Sequence, residues 1–196
     1  MSSVLSVAPD PEAGVAAAPA GSMEVKLVLL GASGVGKTSL VLRFVNNTFH
    51  EFQETTIGAS FLTKTVVANG TAVTFQIWDT AGQEQYHSLT PMYYRNSAAA
   101  IIVYDITRAA SFDTVKQWVR ELRTMGSEET IIAIAGNKID MDASRQVDRK
   151  TAEDYAASIG AYHVETSAKT ADNVNHLFKE IVRRMPSDGG RQSVSS

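Results

Sequence analysis

Short apolar runs alternate along this chain with segments whose apolar positions recur every three or four residues. Residues 25–30 form an apolar run broken only by Lys26, and residues 98–104 and 131–135 are continuous enough for strands buried on both faces. Residues 61–68 and 71–78 read as two strands joined by Asn69-Gly70, a two-residue signal for a tight hairpin. Residues 163–165 make a last short strand. Between these runs the period changes. Residues 36–45 place Leu40, Val41, Phe44 and Val45 on one helical face, and Phe112, Val115, Val119 and Leu122 mark a second amphipathic helix. Residues 151–159 predict a third helix, and Val174, Leu177, Phe178, Ile181 and Val182 line the last. The alternation predicts an α/β fold: a six-stranded, mostly parallel sheet with one antiparallel edge strand and helices on both faces. Ligands in such sheets bind at the carboxyl ends of the strands, so the loops there should carry the chemistry.

Composition narrows the function classes. The 196 residues suffice for one domain and short tails, with 44% hydrophobic and 20% charged residues. Residues 1–22, rich in Ala, Pro, Ser and Gly, read as a disordered N-terminal tail. Residues 186–196 read as a flexible C-terminal tail, and the folded domain spans 23–185. A net charge of −3 supplies no basic footprint for nucleic acid. With no cysteine, these residues offer no disulfide, thiolate nucleophile, cysteine zinc site or lipidated thiol. Ser2 stands where N-myristoylation needs glycine, and no apolar run is long enough for a membrane span.

The segment Gly31-Ala32-Ser33-Gly34-Val35-Gly36-Lys37-Thr38 matches G-x-x-x-x-G-K-[ST], with Ser39 next in the chain. It follows an apolar strand and opens a helix, as phosphate binding requires. Glycines let backbone N–H groups curl around phosphate oxygens, and the helix N-terminus adds donors and a favourable dipole. Lys37 is placed to reach the β- and γ-phosphates, and the Thr38 hydroxyl to coordinate Mg²⁺.

Asp79 closes an apolar strand in Trp78-Asp79-Thr80-Ala81-Gly82-Gln83-Glu84. A carboxylate there can hold Mg²⁺ through water. Gly82 can bring its N–H to a γ-phosphate, and Gln83 can orient the attacking water. Thr56 sits in the long connection between the first helix and the hairpin, where its hydroxyl would complete the Mg²⁺ shell only with the γ-phosphate present. Asn137-Lys138-Ile139-Asp140 follows the strand 131–135. An aspartate accepts two parallel hydrogen bonds from the N1–H and exocyclic amine of guanine, a donor pair adenine lacks. Lys138 would lie along the base, and Ser167-Ala168-Lys169 would offer a backbone N–H to the guanine oxygen. The four motifs, in this order and each after a strand, define a guanine-nucleotide site.

On these motifs the chain resembles the Ras superfamily of small GTPases, with a P-loop NTPase G domain over about residues 23–185. Within it, Ile57-Gly58-Ala59-Ser60-Phe61, Gln83-Glu84-Gln85-Tyr86, Tyr93-Tyr94-Arg95 and Val103-Tyr104-Asp105-Ile106-Thr107 are similar to the Rab family. The stretch from Phe49 to Glu54, with residues 56–61, looks most like its early-endosomal branch. The resemblance implies a vesicle-traffic switch on the cytoplasmic side of endosomal membranes or in the cytosol. It implies GTP-state effectors, an exchange factor and a GTPase-activating protein. Phe49 would pack against guanine, and residues 50–60 and 80–95 would form the switches. Phe61, Trp78 and Tyr93 match the aromatic triad through which Rabs meet effectors. The strand pattern agrees, because Trp78 falls on the polar phase with Thr74 and Gln76. Alternatively, Tyr86 or Tyr93 simply covers Trp78.

Three features depart from the family. Gln85 stands where many Rabs have arginine. Ser33 occupies a position that is glycine in Ras. The cysteines that Rabs prenylate are missing, so either the natural chain continues past Ser196 or membrane recruitment uses other means. No catalytic arginine is evident in cis, which predicts slow turnover that an activating protein raises by roughly 10³–10⁵. Two other classes compete: a phosphate-loop ATPase or nucleotide kinase, which Asp140 disfavours, and a GTP-holding module without hydrolysis, which Gln83 and Thr56 disfavour.

Overall fold

The computed structural model describes residues 23–68, 71–82 and 90–186. In chain order the elements are β1 (Met23–Leu30), α1 (Lys37–Asn46), β2 (Ala59–Ala68), β3 (Thr71–Thr80), α2 (Thr90–Tyr94) and β4 (Ala99–Asp105). Then come α3 (Ala109–Met125), β5 (Ile131–Asn137), a 3₁₀ helix (Ile139–Ser144), α4 (Arg149–Ser158), β6 (Tyr162–Glu165) and α5 (Val174–Arg183). The strands form one six-stranded sheet in the order β2-β3-β1-β4-β5-β6. β2 runs antiparallel to β3 at one edge, and every other neighbouring pair is parallel.

The predicted architecture is therefore present, with most boundaries moved by one to three residues, as is usual at element ends. Two elements were not read from the sequence. The 3₁₀ helix kinks at Met141 and buries no side chain, and α2 has only five residues, so neither leaves a periodic apolar pattern. The Asn69-Gly70 turn and the tails 1–22 and 187–196 lie outside the described residues.

β1 shows why the sheet needs helices on both faces. Val25, Leu27 and Leu29 join one core, while Val28 and Leu30 join the other. The first core receives Leu40, Val41 and Phe44 from α1 and Leu177, Phe178 and Ile181 from α5. Phe44 and Phe178 stack at 3.6 Å between centroids, and Phe75 meets both edge-on, which seats α1 against the sheet. The second core receives Phe112, Val115, Trp118, Val119 and Leu122 from α3, with Ala152 and Ala156 from α4. Each fully buried aliphatic or aromatic side chain contributes about 1.5–3 kcal/mol, so the two cores hold the sheet ends rigid. At those ends lie the loops 31–36, 80–82, 106–108, 137–140 and 166–170.

Candidate nucleotide site

The phosphate loop links β1 to α1. Gly36 caps the helix at φ 97°, a left-handed conformation that glycine adopts without strain. A side chain there would also run into the Asn137 amide. From the first turn of α1, Lys37 folds back and donates to the carbonyls of Gly31 (2.8 Å) and Ala32 (2.9 Å). Its burial holds the ammonium down to about 8, against the opposing pull of the Asp79 charge. A buried cation among carbonyls, beside a glycine-rich turn, is a site prepared for anionic oxygens.

Three side-chain oxygens from three separate segments converge beside it. Thr38 Oγ1 donates to Asp79 Oδ2 at 2.6 Å and lies 2.7 Å from Thr56 Oγ1. Asp79 is fully buried, and its second oxygen, Oδ1, has no hydrogen-bond partner. Burial raises the Asp79 pKa, while the Thr38 hydroxyl and the Lys37 ammonium lower it. An orphaned buried carboxylate oxygen is costly. Hard oxygen donors grouped around it fit Mg²⁺, which prefers few protein oxygens and keeps several waters.

Gly82 approaches the phosphate loop so closely that a Cβ there would stand 2.5 Å from both Lys37 Nζ and the Ser33 nitrogen. Only glycine fits, and Gly82 lines the same cleft as Lys37 and Thr56. The switch segments are tied together nearby, since the Ala81 N–H donates to the Gly58 carbonyl at 2.8 Å. Gln83, expected to orient water, lies outside the described residues, as do Glu84, Gln85 and Tyr86.

The base end rests on Asn137, at the end of β5. Its amide donates to Val35 O (2.9 Å), and its Oδ1 accepts from the Ala168 N–H (3.2 Å) and Thr166 Oγ1 (3.3 Å). One side chain thus binds the phosphate loop to the loop after β6. Lys138 Nζ donates to Gly34 O at 2.8 Å and pairs with Asp105 at 2.7 Å. Burial pushes Asp105 up, but the Lys138 and Thr107 hydrogen bonds outweigh it and leave the carboxyl below its usual range.

Ser167 Oγ holds Asp140 Oδ1 at 2.6 Å. Asp140 itself is exposed at the cleft rim, so its penalty against adenine depends on the bound base covering it. The Ala168 N–H is turned toward Asn137 at the long end of hydrogen-bond range. Donation to a base oxygen would share that hydrogen.

Most of these groups open into one cleft of about 570 Å³, within the range of small-molecule sites, whereas Asp79, Asp105 and Ser167 do not line it themselves. Ser33, Gly34, Gly36, Lys37, Thr38, Ser39 and Thr56 line its phosphate end, and Asn137, Lys138, Asp140, Ala168 and Lys169 its base end, with Phe49 also on its wall. Val35 points into the core instead, and only its carbonyl serves the site.

Several contributors lie outside the residues singled out from the sequence, Thr55 and Thr80 on the cleft wall among them. Met141 lines the cleft, and Glu51 pairs with Lys169 across it at 3.5 Å. Arg43 reaches from α1 to the Ala168 and Lys169 carbonyls at 2.8 and 2.9 Å, fixing the last loop. Arg108 donates to Ser33 O at 2.6 Å. For the two arginines, only their placement in the last turn of α1 and just after β4 hinted at a role.

Trp78 lies on the sheet face opposite Val73, Phe75 and Ile77, as its phase predicts. It packs beside Phe61 (5.1 Å between centroids) and Tyr93 (5.5 Å). Tyr93 therefore does cover part of the indole, yet Phe61 stays 51% exposed beside it.

A buried lysine in a phosphate loop, three side-chain oxygens suited to Mg²⁺ and an aspartate held by an Asn-Lys-x-Asp turn fit a guanine-nucleotide-binding switch. Comparison with known proteins places it more closely. The Ras family model matches residues 26–187. The Ras-related protein Rab5A of Oryza sativa subsp. japonica is 60% identical over 160 residues, covering 82% of this chain and 79% of that protein. The Ras-related protein RABF2b of Arabidopsis thaliana is 55% identical over 172 residues, 88% of this chain and 86% of that protein. The Ras-related protein Rab5 of Nicotiana tabacum is 55% identical over 165 residues, 84% and 82% of the two chains. The chain belongs to the Ras family, as a small GTPase of the Rab5 type. It binds GTP and GDP with Mg²⁺, hydrolyses GTP and regulates endocytic vesicle trafficking. Membership implies GTP-state effectors, exchange factors and activating proteins.

Proposed function

We propose that the cleft residues divide the switch between them as follows. Lys37 and the N–H groups of residues 33–38 hold the β- and γ-phosphates. Thr38, Thr56 and Asp79 hold Mg²⁺, which when bound neutralises phosphate charge. Thr56 and Gly82 report the γ-phosphate, because each comes from a segment that only the full triphosphate keeps in place. Asp140, steadied by Ser167, selects guanine; Lys138 and Phe49 flank the base. Gln83 orients the attacking water. The observation that carries this reading is the meeting of Thr38, Thr56 and Asp79 oxygens beside an unpartnered Asp79 Oδ1.

Effectors of the GTP state dock on Phe61, Trp78 and Tyr93 with the switch loops. Ile57 (81%) and Phe52 (92%), in the connection that carries Thr56, expose further apolar side chains for such a partner. The site of action is the cytoplasmic side of endosomal membranes, exchanging with cytosol. Among the described residues no helix is long and apolar enough to cross a membrane.

The test is single-turnover hydrolysis by Gln83→Leu, with and without an activating protein. GTP binding should persist while both rates fall. Unchanged rates would remove Gln83 from the mechanism.

A further inference from the structure

Arg108 belongs to none of the motifs that define the site, yet its guanidinium reaches the phosphate loop. Its backbone is firmly anchored at the start of α3. The N–H donates to Asp105 O at 3.0 Å, and the carbonyl accepts from the Ser111 N–H (3.0 Å) and Ser111 Oγ (2.6 Å). From this anchor Nη2 donates to Ser33 O at 2.6 Å. Nη1 stands 3.7 Å from where a Cβ on Gly34 would lie.

A guanidinium carries five N–H donors in a rigid fork. The Ser33 carbonyl accepts from one terminal nitrogen, and Arg108 pairs with no carboxylate among the described residues. The side chain is exposed, so its free edge can turn without breaking a core.

We propose that Arg108 acts in cis on the phosphate chain, its free N–H edge donating to oxygens at the β–γ end of bound GTP. This rests on the site reading above and deepens it. In hydrolysis the water oxygen bonds to the γ-phosphorus while the bond from that phosphorus to the β–γ bridging oxygen breaks. The electron pair stays on the oxygen that becomes the terminus of GDP, and the water proton leaves with the released phosphate. Negative charge grows on the leaving side, which the phosphate loop holds, and Arg108 lies against that loop at Ser33 and Gly34. A cation tethered there through the Ser33 carbonyl can turn its free edge to that charge and stabilise the transition state more than the ground state. Arginines dedicated to this task contribute 10³–10⁵; one that is exposed and shared with a carbonyl should contribute about 10-fold. The proposal departs from the expectation that no arginine serves in cis.

The competing role is a staple that merely holds α3 against the loop. The full chain, wild type and with Arg108→Ala or Arg108→Lys, is loaded with GTP, and single-turnover hydrolysis and GDP dissociation are measured. Guanidinium ion at millimolar concentration is then added to the alanine variant. Binding of GDP with aluminium fluoride is followed without an activating protein by tryptophan fluorescence. The proposal expects hydrolysis to fall about 10-fold in Arg108→Ala with GDP dissociation changed less than about twofold. It also expects partial rescue by guanidinium and an aluminium fluoride complex in wild type that the alanine variant loses. Unchanged hydrolysis overturns it. Equal loss of GDP retention and hydrolysis without rescue assigns the staple role and also overturns it. If wild type binds no guanine nucleotide, the site reading fails first, and that outcome is visible in the GDP measurement alone.

Discussion

Replacing Asn137 with alanine removes a side chain that ties the phosphate loop to the loop after β6. Three hydrogen bonds disappear: 2.9 Å to Val35 O, 3.2 Å from the Ala168 N–H and 3.3 Å from Thr166 Oγ1. The first is short and buried, so Val35 O is left unsatisfied at about 1–3 kcal/mol. The other two are long and contribute less. A total of about 2–3 kcal/mol is divided between folding and binding, because the nucleotide needs both loops in place. If most appears in binding, affinity falls about 30–100-fold, since 1.4 kcal/mol is tenfold. If most appears in folding, the melting temperature drops by about 4–10 °C for a domain of this size. The assay is displacement of a fluorescent GDP analogue, run beside a thermal melt. GDP and GTP should weaken alike, because Asn137 touches neither the metal cluster nor Gly82. An affinity change below about twofold together with an unchanged melt would refute the reasoning. So would a loss confined to GTP.

Thr38→Asn disturbs the oxygen that meets both Asp79 and Thr56; it should weaken Mg²⁺-GTP more than GDP, and equal effects in an exchange titration would count against that. Gly82→Ala should reduce GTP-state effector binding while sparing GDP affinity, because its Cβ would stand 2.5 Å from Lys37 Nζ and the Ser33 nitrogen; effector pull-downs at saturating GTP read this. Lys37 carries a linkage prediction. Its pKa is lowered to about 8 from 10.5, so between those values the folded chain binds fewer protons than the unfolded one and stability rises with pH. Anionic phosphates favour the ammonium and raise that pKa, so GDP binding near pH 9 should take up protons. Calorimetry in buffers of different ionisation enthalpy would show this, and buffer-independent heats would contradict it.

The fold was legible because each strand and helix of the cores has its own period. The continuous run at β4 and the alternation along β3 could each be assigned without knowing their neighbours. Motif residues were legible for a different reason. Lys37, Asp79 and Asn137 each sit at a fixed offset from a strand end, and the sheet brings those ends to one edge. Arg43 and Arg108 were hidden because nothing local marks them; their partners lie 125 and 75 residues away in the chain. The exposure of Asp140 at the cleft rim was not legible, because it sits on a 3₁₀ helix with no apolar period.

The proposed division of labour puts Thr38, Thr56 and Asp79 on one metal and Asp140 on the guanine beside it. A crystal structure of the chain with Mg²⁺ and a non-hydrolysable GTP analogue decides it. The phosphates should lie cradled by residues 33–38, the metal should be bound by both threonine hydroxyls and by Asp79 through water, and the Asp140 carboxylate should pair with the guanine edge. A metal bound elsewhere, Thr56 turned away from it, or a base not paired with Asp140 would overturn that division.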